Sequence, residues 1–503
     1  MRSFRAALVA AALLAIISQP ARADTSGLLR GTVTLDEKPA AGVALTLRGE
    51  GTTATTESNA KGEFVFTRVA FGRYALTAHK AGVDDVTHQI ELLSGSVSAV
   101  NLDLHTLHEI AHTQSGLTRG VASSPVAVNT LGRAQISTLP NNQSLDSLVA
   151  TMPGIVRFSY NEPIAHGFHG VTYEIDGVPL PQGTASNFGE IIDPRTIDSF
   201  EVFTGAFPAE YGGSRQGAIV NIVSHRATDV TAPEAGYVSF GGGNYGSAQT
   251  SIGEALAISS NTRLFINTNS ERTDRGLDSP TFDPQHDASS NTNQFLRTIT
   301  NITKHDTLAL DLSNNYATFQ VPINTVTTPI APVAVPRGTD DVQREYDQFA
   351  NLVYTHTSAD ENSYTLVAPW YRYDRVVYAG DLPSDLQGTF TDFSQDPPAV
   401  TPLDGLRQDR SSEFTGLRLA HFHVFGPNAV KAGIDTSVEN FVGTSQLAYY
   451  DSSGVQQNFF DNAAQKGSLF SAYVQDKWTP NHYISVFGGC VSTTRRATRP
   501  ALS

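Results

Sequence analysis

The sequence has little of several things. Its 503 residues include one cysteine, Cys490, two tryptophans and two methionines. One cysteine excludes an intrachain disulfide framework and a cysteine-ligated zinc site. Charged residues make up only 17 %, with 34 Lys+Arg against 49 Asp+Glu and a formal charge of −15. No lysine or arginine run breaks this acidic balance, so the basic patch that a nucleic-acid partner requires is missing. Beyond the N-terminus no stretch reaches the roughly 18 consecutive apolar residues of a transmembrane helix. A membrane is then crossed only by a closed β-barrel. What is plentiful points the same way: 41 Gly, 25 Pro, 26 Phe and 17 Tyr with low charge describe a folded, β-rich chain, not a disordered one. The length allows roughly two to four domains.

Arg2 and Arg5 precede an apolar run from Ala6 to Ile17, and Ala21-Arg22-Ala23 ends the segment. A positive start, a short apolar stretch and a small-residue site form the order of a secretory signal. Cleavage is expected after Ala23, leaving residues 1–23 out of the mature chain.

From residue 24 to 104, short alternating stretches such as Val43 to Arg48, Glu63 to Thr67 and Tyr74 to Ala78 are punctuated by glycines. That pattern predicts a small β-sandwich. The run Thr56-Glu57-Ser58-Asn59-Ala60-Lys61-Gly62-Glu63-Phe64-Val65-Phe66, followed by Gly72-Arg73-Tyr74, resembles the carboxypeptidase-regulatory-like domain, a carbohydrate-binding-like fold. Asn59 to Gly62 is expected to be a hairpin turn, with Phe64, Phe66 and Tyr74 in the core.

A linker over 105–120 leads into a different texture over 121–230. A short helix around Ser144 to Val149, capped near Asn142, ends at Met152-Pro153-Gly154, where proline cannot continue a helix. Asp176-Gly177-Val178-Pro179, Ile197 to Phe203 with Glu201, Tyr211-Gly212 and Gly217 to Val223 follow in that order. Together these resemble the plug domain of TonB-dependent outer-membrane receptors. The resemblance implies that Asp176, Gly177 and Pro179 form a plug turn, and that Glu201 and Arg215 are candidates for plug–barrel ion pairs.

Over 235–490 the text becomes long alternating strands separated by unequal polar stretches, such as Glu271 to Asn291 and Phe319 to Arg344. Short turns alternating with long loops match a transmembrane barrel. About ten to twelve strands are countable, against about 22 in a plugged barrel of this kind. Residues 491–503 change texture, from Cys490-Val491-Ser492 to Ala501-Leu502-Ser503, where these receptors continue with a Leu/Phe-Arg-Tyr-Asp sequence and end in an aromatic strand. An incomplete barrel is therefore expected.

Motifs with chemistry are few. His108-Glu109-Ile110-Ala111-His112 is a literal H-E-x-x-H, which on a helix places two histidines on one face for zinc and leaves Glu109 to activate water. It lacks a cap and a recognisable third ligand. The competing reading is an exposed linker, and in the receptor family the TonB box lies here, with Leu107, His108, Glu109, Ile110 and Ala111 as its residues. Such a box binds by strand addition, so backbone pairing outweighs side-chain identity. His421 and His423 share one strand face and are expected to line the lumen.

The expectation is thus a mainly β chain: a small β-sandwich, an α+β plug and a partial antiparallel transmembrane β-barrel. By resemblance it is a receptor that takes up a scarce solute (siderophore, cobalamin, glycan or peptide). Its partners are TonB with the inner-membrane energising complex, outer-membrane lipid and the solute, and no cofactor or catalysis is expected. Two alternatives stay open: a periplasmic or surface binding module made of sandwich and plug, and a zinc metalloprotease through His108 and His112.

Overall fold

A computed structural model describes residues 26–35, 38–49, 52–81, 83, 85–92, 97–104, 118–119, 127–139, 144–157, 163–169, 171–181, 189, 191–204, 207–212, 217–225, 236–277, 286–322, 341–359, 362–379, 389–392, 399–450, 453, 455–481 and 484–498. The signal segment, the H-E-x-x-H stretch with the candidate TonB box, and Arg215 lie outside the described residues.

The N-terminal unit is a sandwich of two sheets. One contains β1 (Ser26–Leu35), β2 (Lys38–Pro39), β5 (Glu63–Ala70) and β8 (Val97–Leu104), the last parallel to β1. The other runs β4 (Thr52–Glu57), β3 (Ala44–Gly49), β6 (Gly72–His79), β7 (Val86–Leu92) and β9 (Thr118–Arg119). Alternation does the sorting, because side chains of a strand point to opposite faces. Leu45 and Leu47 turn inward, with Leu29, Val33, Phe64, Phe66, Tyr74, Leu76 and Ile90, into one core. The turn before β5 is set by Asn59, whose Oδ1 accepts from the backbone N–H of Lys61 at 2.9 Å and of Glu63 at 3.0 Å.

The second unit is built on a five-stranded sheet in the order β10 (Ala127–Gly132), β16 (Ile197–Thr204), β17 (Ala218–Ser224), β14 (Val171–Ile175) and β15 (Val178–Leu180). Only β14 and β17 run parallel. Every residue of β17 is buried, as befits a strand covered on both faces. Between β10 and β14 lie α1 (Arg133–Thr138), α2 (Leu145–Val149) and a small sheet of β11 (Ile155–Arg157), β12 (Pro163–Ala165) and β13 (Phe168–His169). The cap of α2 is Ser144, not the expected Asn142: its Oγ accepts from the backbone N–H of Ser147 at 3.1 Å. Leu145, Leu148 and Val149 pack against Tyr173, Phe200, Val202 and Val220. Each such side chain contributes about 1.5–3 kcal/mol on burial.

The third unit is one long antiparallel sheet: β18 (Gly236–Gly242), β19 (Ala248–Ala257), β20 (Thr262–Thr273), β21 (Ser289–Asn301), β22 (Asp306–Gln320), β23 (Val342–Thr357), β24 (Ser363–Ala379), β25 (Thr389–Asp392), β26 (Ala399–Phe425), β27 (Asn428–Tyr450), β28 (Gln456–Asn481) and β29 (Ile484–Thr498). Eleven of them pair in series, and β25 pairs with β26 alone. Among the described residues β18 and β29 do not pair with each other. Strand connections alternate in length, with short turns at 302–305 and 426–427 on one end and much longer sequence separations from β22 to β23 and from β24 to β26 on the other.

The two faces of this sheet differ in chemistry. Outward positions carry Leu308, Leu310 and Leu312 on β22, Leu352 on β23, and Leu417 and Leu419 on β26. Aromatic residues bracket that band: Tyr316 and Tyr346 toward the long loops, with ring centroids 4.9 Å apart, and Tyr354 toward the short turns. Tyr346 to Tyr354 spans eight residue steps, about 26 Å along the strand and about 20 Å in height once tilted. His421 and His423 also stand on this outer face. Ala420, Phe422 and Val424 take the inward phase of β26 and are buried, so the histidines do not line the lumen as expected.

The inner face holds the plug. Phe265, Phe295 and Phe349 continue the plug's own core into the wall, with successive centroids 6.4 Å apart. The sandwich sits at the short-turn end. Leu28 packs with Tyr364, Phe422 and Val424 of the sheet, and Arg30 reaches the Gly426 carbonyl at 3.4 Å.

Candidate functional site: the seat of the plug in the wall

Burial of the plug against a barrel wall brings charged groups out of water, which is tolerated only if each is paired and hydrogen-bonded. The turn between β14 and β15 is where this is most developed. Asp176 and Gly177 both have positive φ, 50° and 76°, as a two-residue hairpin turn of this twist demands. Glycine adopts that region freely, and aspartate is among the residues that tolerate it.

That geometry presents three acceptors to the wall. Arg418 on β26 donates from Nη1 and Nη2 to Glu174 at 2.9 and 3.0 Å. It donates from Nε and Nη2 to Asp435 on β27 at 2.7 and 2.8 Å, and from Nη1 to the Gly177 carbonyl at 2.8 Å. All five N–H donors of the guanidinium are thereby used. Arg418 and Glu174 are 1 % exposed, so this clasp is fully desolvated.

Three more cations repeat the arrangement. Arg297 on β21 donates to Asp176 and to Ser224 Oγ and lies 3.0 Å from Asp311 on β22. Ser224 in turn donates through Oγ to Asp176 at 2.6 Å. Lys431 on β27 donates to Glu210 of the plug, whose other oxygen accepts from Gln475 Nε2 at 3.0 Å. Arg372 on β24 donates to the Pro181 carbonyl and to Asp347 on β23.

Of the residues singled out in the sequence, Asp176, Gly177, Val178 and Pro179 form this turn and its exit. Val178 packs against Val353, Leu366 and Trp370 of the wall. Tyr211 and Gly212 end a short turn beside β28, and Tyr211 packs on Phe203 with centroids 5.2 Å apart. Glu201 sits inside the plug sheet, opposite Thr130 and Asn221. The described plug–barrel ion pairs include Glu174, Asp176 and Glu210. Sequence reading missed Arg297, Arg372, Arg418 and Lys431. Their signal was a lone cation at the inward phase of an otherwise small or apolar strand, as in Gly416-Leu417-Arg418-Leu419-Ala420.

Higher on the wall, the inward phase becomes a row of polar side chains. Asn269, Asn293, Asn315, Asp347, Asp374 and Ser412 stand directly opposite one another across consecutive strands, all buried.

Burial moves the ionisation of plug groups, among them Asp146 and His225. Burial pushes the Asp146 carboxyl up to about 6, against the opposing effect of the Tyr173 hydroxyl, which donates to it at 2.6 Å. Burial holds His225 down at about 4, where the neutral ring stacks on Phe265 with centroids 4.0 Å apart.

The described residues contain no cluster of three or more His, Cys, Asp or Glu arranged to hold a metal.

Comparison with known proteins fits this architecture. The family model of the TonB-dependent receptor plug domain matches residues 121–219, and that of the carboxypeptidase regulatory-like domain matches 29–105. No curated protein sequence matches significantly. Among solved structures, the chain is similar to Pseudomonas aeruginosa FpvA bound to heterologous pyoverdines, with a TM-score of 0.57 and 14 % identity over 75 % of this chain and 52 % of that one. It is similar to the ferric-catecholate import receptor Fiu from E. coli K12, with a TM-score of 0.57 and 14 % identity over 76 % of this chain and 61 % of that one. The ferric citrate transporter FecA gives a TM-score of 0.55 and 13 % identity over 75 % and 57 %. These are receptors and transporters, not enzymes, and the chain spans about half the length of such structures. The chain therefore carries a carboxypeptidase regulatory-like domain and a TonB-dependent receptor plug domain seated in part of a β-barrel, the fold of the TonB-dependent receptors.

Proposed function

We propose that this chain works in the uptake of a scarce solute across an outer membrane. Its plug closes the lumen and is moved by a TonB-type inner-membrane complex that draws on the proton gradient. The observation that carries this reading is the Arg418 clasp, which ties plug Glu174 and Gly177 to barrel Asp435 through five short hydrogen bonds. A plug held by a few buried, directional bonds has one seated arrangement and a definable released one.

The outer face supports a membrane setting. An apolar band about 20 Å high between tyrosines suits a bilayer core flanked by interfacial aromatics. Short turns face the periplasm in such barrels and long loops the exterior, so the sandwich at the short-turn end lies on the periplasmic side. Residues 1–23 direct export and are removed after Ala23. Leu107, His108, Glu109, Ile110 and Ala111 pair with TonB as an added strand.

Two measurements on the full chain test the reading. It should fractionate with the outer membrane, and the periplasmic domain of TonB should capture it. Ile110→Pro should abolish capture, because proline removes a ladder donor. Recovery in the soluble periplasmic fraction, or capture unchanged by Ile110→Pro, overturns it.

A further inference from the structure

The outer phase of β26 changes character toward its end. Leu417 and Leu419 give way to His421, His423 and Phe425, which run down to the short turn at 426–427. Tyr354 shares a register row with Val367 and Leu419, so the two histidines are the next two outward positions past that tyrosine. Their register partners are modest in size: Thr365 and Ala432 flank His421, and Ser363 and Val430 flank His423. No bulky partner covers the imidazoles, and His421 is exposed.

The strand prepares these rings to hold one ion. Residues i and i+2 of a strand share a face about 6.6 Å apart, a gap that two imidazoles span to a common metal at nitrogen distances of about 2.0–2.1 Å. The two rings already lie 15° from parallel with centroids 6.4 Å apart, and Phe425 stacks on His423 at 5.6 Å. His421 Nδ1 is hydrogen-bonded to Thr365 Oγ1 at 2.7 Å. That bond engages one nitrogen and leaves Nε2 to bind; in the neutral ring Nδ1 keeps its proton and donates to the hydroxyl. Among the described residues His423 is held by stacking alone, so a turn of its side chain closes the pair on one ion.

We infer that His421 and His423 form a chelating pair for a borderline-soft divalent ion. Imidazole suits copper, nickel and zinc, and Cu2+ is bound tightest of the first-row divalent ions. The flanking register positions carry no carboxylate, so Mg2+ and Ca2+, which take mainly oxygen ligands, are poorly served. Two protein ligands leave the other positions to water, and the ion is therefore exchangeable, unlike one in a closed structural site. The pair lies on the outer wall, away from the plug, and does not rest on the uptake reading.

The test titrates the full chain in detergent micelles with Cu2+, Zn2+ and Mg2+, following Cu2+ by electron paramagnetic resonance. The sequence has 14 histidines, so the readout is the difference between the unmutated chain and its variants. His421→Gln and His423→Gln should each weaken one Cu2+ equivalent at least tenfold and leave one coupled imidazole nitrogen there in place of two. Thr365→Val keeps the shape without the hydroxyl and should weaken it about tenfold. His108→Gln with His112→Gln should leave that equivalent unchanged. Zn2+ should bind it more weakly, and should slow carbethoxylation of His421 and His423 in the unmutated chain, a readout that needs no substitution. Equal Cu2+ binding by the unmutated chain and both histidine variants means an adventitious ion only and overturns the inference. So does carbethoxylation that Zn2+ does not slow, or Mg2+ binding at the same pair.

Discussion

Replacing Arg418 by methionine is the most direct probe of how the plug is seated. Five charge-assisted bonds at roughly 1.5–3 kcal/mol each would suggest a loss near 10 kcal/mol. That sum is too large, because it omits what desolvating one guanidinium and two carboxylates cost in the first place. Removing one member of a buried ion set costs about 3–5 kcal/mol, most of it from the charges left behind. Here two carboxylates, Glu174 and Asp435, would remain without their cation. Guanidinium unfolding of the micelle-bound chain, followed by fluorescence, should therefore show Arg418→Met less stable by about 3–5 kcal/mol at pH 7. Trp370, on the strand next to Arg418, supplies a local signal. The triple variant Arg418→Met with Glu174→Gln and Asp435→Asn should recover most of the loss, since a neutral set leaves no buried charge. Arg418→Lys should fall between, because an ammonium has three donors and not five. A loss below about 1 kcal/mol for Arg418→Met, or a triple variant no better than the single, would refute the reasoning.

Three further outcomes follow from the geometry. Asp146 has its folded pKa raised to about 6, so the stability it contributes is full below about 3.8 and is lost as pH rises through 6. Asp146→Asn keeps the acceptor for Tyr173 and should stabilise the plug by about 1–3 kcal/mol at pH 7.5 with no gain at pH 3.5, measured by thermal unfolding. His225 has the opposite sign: its pKa is lowered to about 4, so its contribution is full above about 6.5 and is lost as pH falls toward 4, up to about 3 kcal/mol. His225→Phe should remove that acid-side loss in the same assay. Gly416→Val places atoms where the Trp370 ring lies and should cost about 1–3 kcal/mol, with a red-shifted emission as the indole is displaced.

Much of the architecture was legible in the sequence because its signals are local. The Asn59 turn, the Asp176-Gly177 hairpin and the period-two alternation of the long strands each reside within a few residues. Alternation left one ambiguity at His421 and His423. A period of two says that they share a face but not which face, and only the burial of Ala420 and Phe422 decides it. The clasp itself was illegible for a different reason. Arg418 meets Glu174 across 244 residues and Gln475 meets Glu210 across 265, and no spacing rule operates over such distances. Glu201, chosen from its motif, belongs to the plug sheet. Glu174 precedes the Asp176-Gly177 turn in its strand, where a lone carboxylate reads as filler. The turn nonetheless carries it to the wall together with the Gly177 carbonyl.

The sandwich touches plug and wall at once. Leu28 and Val65 rest on the wall at Tyr364 and Phe422, while the Phe71 carbonyl accepts from Ser199 of the plug at 3.3 Å. It acts as a doorstop at the mouth of the lumen. A plug leaving as one rigid piece would have to push a folded domain off its sill, whereas a plug that yields strand by strand need not disturb it. On the proposed function, the contacts of the small N-terminal domain with both plug and wall would oppose ejection of the plug as one piece.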